Sequence, residues 1–107
     1  MDDYLKLIKD KILSIAKKHN INVHKIILFG SRARGDFRKS SDWDIMVVTE
    51  KRLNWKERNE FYADISWELT NDITAEIIIV DKENFEKYRD LPGYVYYWAR
   101  EEGVLIK

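Results

Sequence analysis

Two apolar segments separated by a polar loop are the feature that most constrains how this chain folds. Residues 26–29 lead directly into Gly30-Ser31, and residues 45–48 follow directly after Asp42-Trp43-Asp44. Short apolar runs bounded by turn residues are typical of buried strands. The sequence therefore predicts two core strands, with a glycine-serine turn at the end of the first and a pair of carboxylates at the start of the second.

The two aspartates of this segment are placed to act together. Alternate residues of a strand point to the same face with Cα atoms roughly 6.6 Å apart, so Asp42 and Asp44 can converge on one site while Trp43 faces the other way. Mg²⁺ prefers hard oxygen ligands, and nucleotidyl transfer uses two such ions roughly 3.5–4 Å apart. In isolation such a pair is more often part of a turn before a strand. Together with the preceding Gly30-Ser31, it predicts that Asp42 and Asp44 are catalytic residues that bind Mg²⁺, with two ions expected.

The segment between the strands has the character of a phosphate-binding loop. Gly30 lets the backbone approach a phosphate without a Cβ clash, and Ser31 offers a hydroxyl and an amide at a helix start. Four basic side chains against one acidic give residues 32–39 a net charge of +3. We predict that Gly30, Ser31, Arg32 and Arg34 bind the triphosphate of a nucleotide. For each arginine, a solvated helix position is an equally good interpretation.

A Gly-Ser pair, ten intervening residues and Asp-x-Asp, here Gly30-Ser31 and Asp42-x-Asp44, form the signature of the DNA polymerase β-like nucleotidyltransferase superfamily. In length the chain resembles the minimal nucleotidyltransferases, or MNT proteins. The resemblance implies a third carboxylate, usually Asp, in a later apolar strand. The segment Thr74–Val80 offers only Glu76, which is thereby implied as the third metal ligand and catalytic residue.

Glu76 is also unusual in its own right. A carboxylate between Ala75 and Ile77 in a buried strand costs several kcal/mol unless it is paired or binds a metal. The alternative is a surface position on an edge strand.

The resemblance further implies an activity and a partner. It implies Mg²⁺-dependent transfer of AMP from ATP, with release of pyrophosphate. MNT proteins are commonly paired with HEPN-family toxins, so the implied acceptor is a toxin tyrosine hydroxyl, and the chain is implied to be an antitoxin in a hetero-oligomer. Two alternatives stay open: a non-catalytic module that blocks its partner by contact, and a transferase for a small hydroxylated acceptor.

Composition limits the remaining possibilities. The 107 residues are 45% hydrophobic, which is enough for one domain, expected to cover residues 1–107. The formal net charge is zero, so no stable nucleic-acid binding is expected. The chain has no cysteine, which excludes disulfides and thiolate metal sites. Apolar runs are shorter than the roughly 20 residues of a membrane span, so we expect no membrane association and a cytoplasmic location.

Periodicity and capping residues predict a mixed α/β (α+β) fold, with a small mixed sheet of three to four strands flanked by helices. Asn54 and Glu57 form a capping box for one helix. Three longer helices are predicted at residues 2–19, 55–69 and 92–102. Two short helices are also predicted: one starts at Ser31 and ends at Gly35, and the other is capped by Asp81 and ends at residue 88. The predicted strands are residues 23–29, 42–49, 73–80 and an edge strand at 104–106.

Helical spacing also predicts which faces of the helices are buried. Trp67 and Tyr96 fall outside these faces and are candidates for partner binding, although Trp67 could instead pack under the terminal strand. His19 and His24 are expected at the surface. The predicted core faces consist of Trp55, Phe61, Tyr62, Ile65 and Leu69 on helix 55–69, and Tyr94, Val95 and Trp98 on helix 92–102.

Overall fold

The computed structural model describes residues 2–107, which form five helices and four strands. The helices are α1 (Asp2–Lys18), α2 (Ser31–Arg34), α3 (Trp55–Leu69), α4 (Lys82–Tyr88) and α5 (Val95–Glu102). The strands are β1 (Val23–Phe29), β2 (Trp43–Thr49), β3 (Ala75–Asp81) and β4 (Val104–Leu105). None of the helices in this part of the chain is long and apolar enough to cross a membrane.

The four strands form one mixed sheet in the order β3-β2-β1-β4. β1 pairs antiparallel with β2 and with β4, whereas β2 and β3 are parallel. A parallel pair needs a crossover connection, and α3 supplies it between β2 and β3. The predicted mixed α/β fold is therefore confirmed, including the small sheet flanked by helices.

Strand alternation divides the core between the two faces of the sheet. Trp43, Ile45 and Val47 of β2 belong to the larger cluster, which also includes buried residues of α1 and α3. Met46 and Val48 belong to a smaller cluster with residues of α4 and α5. Asp44 alternates with Trp43 and Ile45, so it lies on the face of the smaller cluster.

The start of α3 follows from its capping box. The amide of Glu57 donates to the side-chain oxygen of Asn54 over 2.8 Å, and the amide of Asn54 donates to the carboxylate of Glu57 over 3.1 Å. These reciprocal bonds satisfy donors that a helix start would leave free. Elsewhere these predicted ends shift by one or two residues: α1 ends at Lys18, β2 begins at Trp43, β3 runs from Ala75 to Asp81, and β4 ends at Leu105.

The predicted core face of α3 is right at Phe61, Ile65 and Leu69 and wrong at Trp55 and Tyr62. The first three are buried, while Trp55 is 81% and Tyr62 46% exposed. At 100° per residue, the three buried residues centre on Ile65, and Tyr62 and Trp55 lie roughly 60° and 80° from it, at the border of the buried face. The predicted face was therefore too wide on that side.

Trp67 is 79% exposed, as its position off the core face predicts. The alternative, that Trp67 packs under the terminal strand, is wrong.

The predicted start and core face of α5 are both wrong. The helix begins at Val95 with Tyr94 as its N-cap, and not at Pro92. Tyr94, Val95 and Trp98 are exposed. Tyr96, predicted to lie off the core, packs against the smaller cluster, which contains the buried Ala99.

Close packing explains the reversal on α5. A Cβ placed on Gly103 would overlap the carbonyl oxygen of Ala99 and the side chain of Ile27. The small residues Ala99 and Gly103 therefore allow close contact with β1, and large aromatic side chains do not fit at their positions.

We predict that Phe61→Ala lowers the free energy of unfolding by about 3–5 kcal/mol, because it leaves a cavity in the larger cluster. Tyr62→Ala, one residue along the same helix, is the matched control and should cost about 1 kcal/mol or less. Urea unfolding of both variants measures the difference. Equal losses would contradict the assignment of the buried face.

Candidate active site

The register of β2 and β3 brings the predicted carboxylates together. Asp44 and Glu76 are direct Cα partners in this parallel pair. Residues opposite each other in neighbouring strands share a face, with backbones roughly 4.8 Å apart. Asp42 lies one residue before β2, and Trp43 between the two aspartates is buried on the opposite face. Three carboxylates thus meet at the edge of the sheet where β2 and β3 begin.

The electrostatics of this edge favour a cation. Burial raises the pKa of Asp44, and the negative charges of Glu76 and Asp42 raise it further, while Arg34 opposes them. Ionisation of Asp44 is therefore less favourable in the folded protein than in water, and a bound cation would relieve the repulsion. Carboxylate oxygens are the ligands that Mg²⁺ prefers, so the residues present fit this ion.

The carboxylates are neighbours and do not form a finished metal cage. Within residues 2–107, no group of three or more His, Asp or Glu side chains already stands close enough to hold a metal ion. Mutual repulsion keeps like charges apart, so an ion would have to draw the side chains of Asp42, Asp44 and Glu76 inward.

Glu76 differs in one respect from its prediction. The side chain is exposed, because β3 is an edge strand of the sheet. The argument that a buried carboxylate must be paired or bind metal was therefore wrong for this residue. What connects Glu76 to the site is its register with Asp44.

The glycine-serine turn lies directly against Asp44. Gly30 has φ 73°, in the left-handed region that favours glycine, and a Cβ there would overlap the Asp44 carboxylate, with Cγ only 3.0 Å away. Ser31 then begins α2, whose amides at Ala33 and Arg34 each donate to the Gly30 carbonyl over 3.1 Å. The predicted phosphate-binding turn and the predicted metal ligand therefore form one compact unit.

Arg32 makes contacts within the protein that the sequence does not reveal. Its Nε and Nη2 donate to the Ser41 carbonyl oxygen over 3.2 and 3.1 Å, and Nη2 also reaches the carbonyl of Lys39. Its guanidinium carbon lies 4.5 Å from the Trp43 ring centroid and 4.6 Å from that of Phe37. These contacts fix the loop that leads into Asp42. Phosphate binding by Arg32 stays a prediction, and it would have to compete with them.

Arg34 lies on the open side of the site. Its side chain is 43% exposed, donates to Glu102 Oε2 over 3.2 Å and lies 3.4 Å from Asp36 Oδ2. Its charge acts on Asp44. Sequence reasoning missed Glu102, because it is 68 positions away at the end of α5 and has no motif around it.

The predicted histidines lie apart from this site and are only partly exposed. His19 pairs with Asp64 at 2.6 Å, and His24 pairs with Glu50 at 2.9 Å.

A cavity of about 490 Å³ lies on the other face of the same sheet end. Arg32, Trp43 and Tyr4 are among its lining residues, and none of the three carboxylates lines it. Asp42 and Glu76 are exposed and Asp44 is half-buried, so the carboxylate site lies at an open edge of the sheet.

A family model described as "Polymerase beta, Nucleotidyltransferase" matches residues 10–96, a span that contains all seven predicted site residues. The chain belongs to this nucleotidyltransferase family. The predictions of a nucleotidyltransferase and of its superfamily are therefore confirmed.

Two relatives come from Methanocaldococcus jannaschii, and each is named a "putative protein adenylyltransferase". The first is 46% identical over 43 residues, which is 40% of this chain and 43% of the relative. The second is 32% identical over 81 residues, which is 75% of this chain and 79% of the relative. The match thus spans less than half the length of the first relative.

Solved structures show the same fold. A nucleotidyltransferase structure from Sulfolobus solfataricus, also described as "putative", is 25% identical with a TM-score of 0.61, covering 94% of this chain and 77% of that one. A toxin-antitoxin structure with AMP-PNP is 19% identical with a TM-score of 0.60, covering 92% and 71%. A tri-AMPylated HEPN toxin in complex with MNT antitoxin, from Shewanella oneidensis, gives 18% identity and a TM-score of 0.56, covering 96% and 71%.

We predict that Asp44→Asn raises the melting temperature at neutral pH, without divalent cations, by on the order of a few degrees. The folded-state pKa of Asp44 is raised, so its contribution to stability is full below the unfolded pKa and is lost as pH rises through the folded pKa. Thermal scans should show this gain at pH 7 and its loss near pH 3.

Asp10→Asn, an exposed aspartate of α1, is the matched control for the charge change and should leave the melting temperature nearly unchanged. A lower melting temperature for Asp44→Asn at pH 7 would instead indicate a structural role for Asp44.

Proposed function

We propose that this chain is a Mg²⁺-dependent protein adenylyltransferase that transfers AMP from ATP to a tyrosine hydroxyl of a HEPN-family toxin and acts as its antitoxin. The observation that carries the proposal is the pairing of Asp44 with Glu76 in the β2–β3 register, beside the Gly30 turn. This places acidic groups and a close-approach backbone at one open edge, in a chain of a nucleotidyltransferase family.

The similar proteins support the choice of substrate and acceptor. Both Methanocaldococcus relatives are named for protein adenylyl transfer. One similar structure contains AMP-PNP, an ATP analogue, and another contains an AMPylated HEPN toxin. We extend ATP, AMP transfer and a toxin partner from those proteins to this chain. We also propose a cytoplasmic location, where ATP and a toxin of this kind would be available.

The proposed reaction is an in-line displacement at the α-phosphorus. The acceptor oxygen forms a new P–O bond, the bond to the bridging oxygen between the α- and β-phosphates breaks, and pyrophosphate leaves with that electron pair. The acceptor proton passes to the Glu76 carboxylate. Bound Mg²⁺ would neutralise charge on the attacking, leaving and non-bridging oxygens.

Each remaining site residue has a proposed part in this reaction. Asp42, Asp44 and Glu76 would hold the Mg²⁺ ions. The backbone at Gly30 and the Ser31 hydroxyl and amide approach the phosphates. Arg34 provides the positive charge on the open side, and Arg32 holds the loop before Asp42.

The exposed aromatic side chains suit a protein partner better than a small acceptor. Trp55 and Trp67 of α3 are both almost fully exposed, and aromatic residues are enriched at protein interfaces. We therefore propose a hetero-oligomer with the toxin, formed through surfaces of this kind.

We predict that ATP binds in the presence of Mg²⁺ and far more weakly in EDTA, because the triphosphate otherwise meets uncompensated carboxylates. Arg34→Gln should weaken the binding by about tenfold or more, since a charge-assisted hydrogen bond is lost. Arg58→Gln, an exposed arginine of α3, is the matched control. Calorimetric titration measures the ATP affinity of the wild type, with Mg²⁺ and with EDTA, and of the two variants. Equal ATP affinity with and without Mg²⁺ would remove the proposed metal site.

We predict that Glu76→Gln removes at least about 100-fold of the transfer rate and leaves Mg²⁺-ATP affinity within a few fold, because general-base loss typically costs 10²–10⁴. The assay is intact mass of the partner toxin after incubation with ATP and Mg²⁺, which shows each added AMP. Glu83→Gln, an exposed glutamate of α4, is the control.

The outcome also separates the alternative functions. Transfer at the wild-type rate by Glu76→Gln would place this carboxylate outside the site. Toxin inhibition by the wild-type chain without any added mass would favour a non-catalytic antitoxin instead.

A further inference from the structure

Arg34 is the one site arginine whose charge acts on Asp44 in the described part of the chain, and it is already held by acids. Its Nη1 donates to Glu102 Oε2 over 3.2 Å, and its Nε lies 3.4 Å from Asp36 Oδ2. Asp36 is a local neighbour, two residues away. Glu102 comes from a different element, the last residue of α5.

The position of Glu102 makes this contact more than a chance surface pair. Its side chain is only 22% exposed, half the value of Arg34. Gly103 and β4 follow immediately, and β4 is paired with β1, the strand that ends at the glycine-serine turn. Glu102 is therefore anchored on both sides, and its carboxylate points at the α2 arginine from a fixed base.

A guanidinium bound to one carboxylate is not free to bind a phosphate in the same geometry. An arginine can make bidentate, charge-assisted hydrogen bonds to a carboxylate or to a phosphate. The carboxylate and the phosphate therefore compete for the same N–H donors of the guanidinium. An ion pair this exposed is weak, with a typical coupling of about 0.2–1 kcal/mol, so an incoming phosphate chain can displace it.

We propose that Glu102 is an internal competitor of the nucleotide: its carboxylate occupies Arg34 in the free protein and must release it before the arginine can bind the triphosphate. Glu102 is thus a positioning residue that sets nucleotide affinity, and it never touches the reacting atoms. The inference rests on the proposed function only in assigning Arg34 to phosphate.

The test is a double-mutant cycle on the full chain. Wild type, Glu102→Gln, Arg34→Gln and the double variant are titrated with ATP and, separately, with inorganic tripolyphosphate, both with Mg²⁺. Glu102→Gln should bind both ligands about two- to fivefold more tightly than the wild type, which corresponds to the strength of an exposed ion pair. The same change in the Arg34→Gln background should have no effect.

Glu101→Gln is the matched control, because it removes the same charge one residue earlier and Glu101 pairs with Arg100 instead. Its ligand affinities should equal those of the wild type. Circular dichroism of each variant confirms that α5 is intact, and Glu102→Asp serves if Glu102→Gln does not fold, since a shorter acid should hold Arg34 less well and also tighten binding.

Three results would overturn the proposal. Unchanged or weaker binding by Glu102→Gln would show that the acid does not compete. Equal tightening in both arginine backgrounds would show a general charge effect, with no exchange at Arg34. If the wild type binds neither ligand, both the proposed phosphate site and the competition are wrong. If the wild type binds ATP but Glu102→Gln does not bind it more tightly, only the competition is wrong.

Discussion

Repulsion between carboxylates, fixed in place by strand register, is the constraint on which this site depends. Pairing β2 with β3 in parallel sets Asp44 directly beside Glu76, and the start of β2 adds Asp42. Burial raises the pKa of Asp44, and the charges of Glu76 and Asp42 raise it further. Strand pairing in the folded protein therefore holds Asp44 beside Glu76 although their like charges repel.

The two arginines of the loop have different surroundings in the fold. Arg32 lies between two aromatic rings, and its donors are satisfied by backbone carbonyls, so it is part of the scaffold behind Trp43. Arg34, two residues later, points to the open edge and pairs only with carboxylates. A helix of one turn separates them onto different sides, so similar residues in one motif carry different roles.

Local patterns made much of this architecture predictable. The apolar runs around the glycine-serine turn gave β1 and β2, and the Asn54–Glu57 pair gave the start of α3, because each rests on neighbours in sequence. The exposure of Glu76 was anticipated only as the alternative, because no local pattern decides that β3 lies at the edge of the sheet. The partners of Arg32 and Arg34 were also beyond reach, because backbone carbonyls and an acid 68 positions away leave no local signal.

The buried face of α5 shows a different limit. Their aromatic side chains made Tyr94 and Trp98 the predicted buried residues. The residues that pack closely are instead Ala99 and Gly103, and the need for small residues there becomes clear only from their contact with β1. Hydrophobicity alone therefore gives the wrong face where a helix lies unusually close to a strand.

The parallel crossover has a consequence for when the site exists during folding. Thirty-one residues separate Asp44 from Glu76, and α3 lies between them. The turn at Gly30 can form early with β1 and β2, but the third carboxylate arrives only after this long loop has closed, which is the slow step in pairings of this kind. A chain that is partly folded, or cleaved so that β3 separates from β2, would keep the turn proposed to bind the nucleotide and lack Glu76. Under the proposed function, such a protein would bind ATP without transferring AMP, so activity would require complete folding.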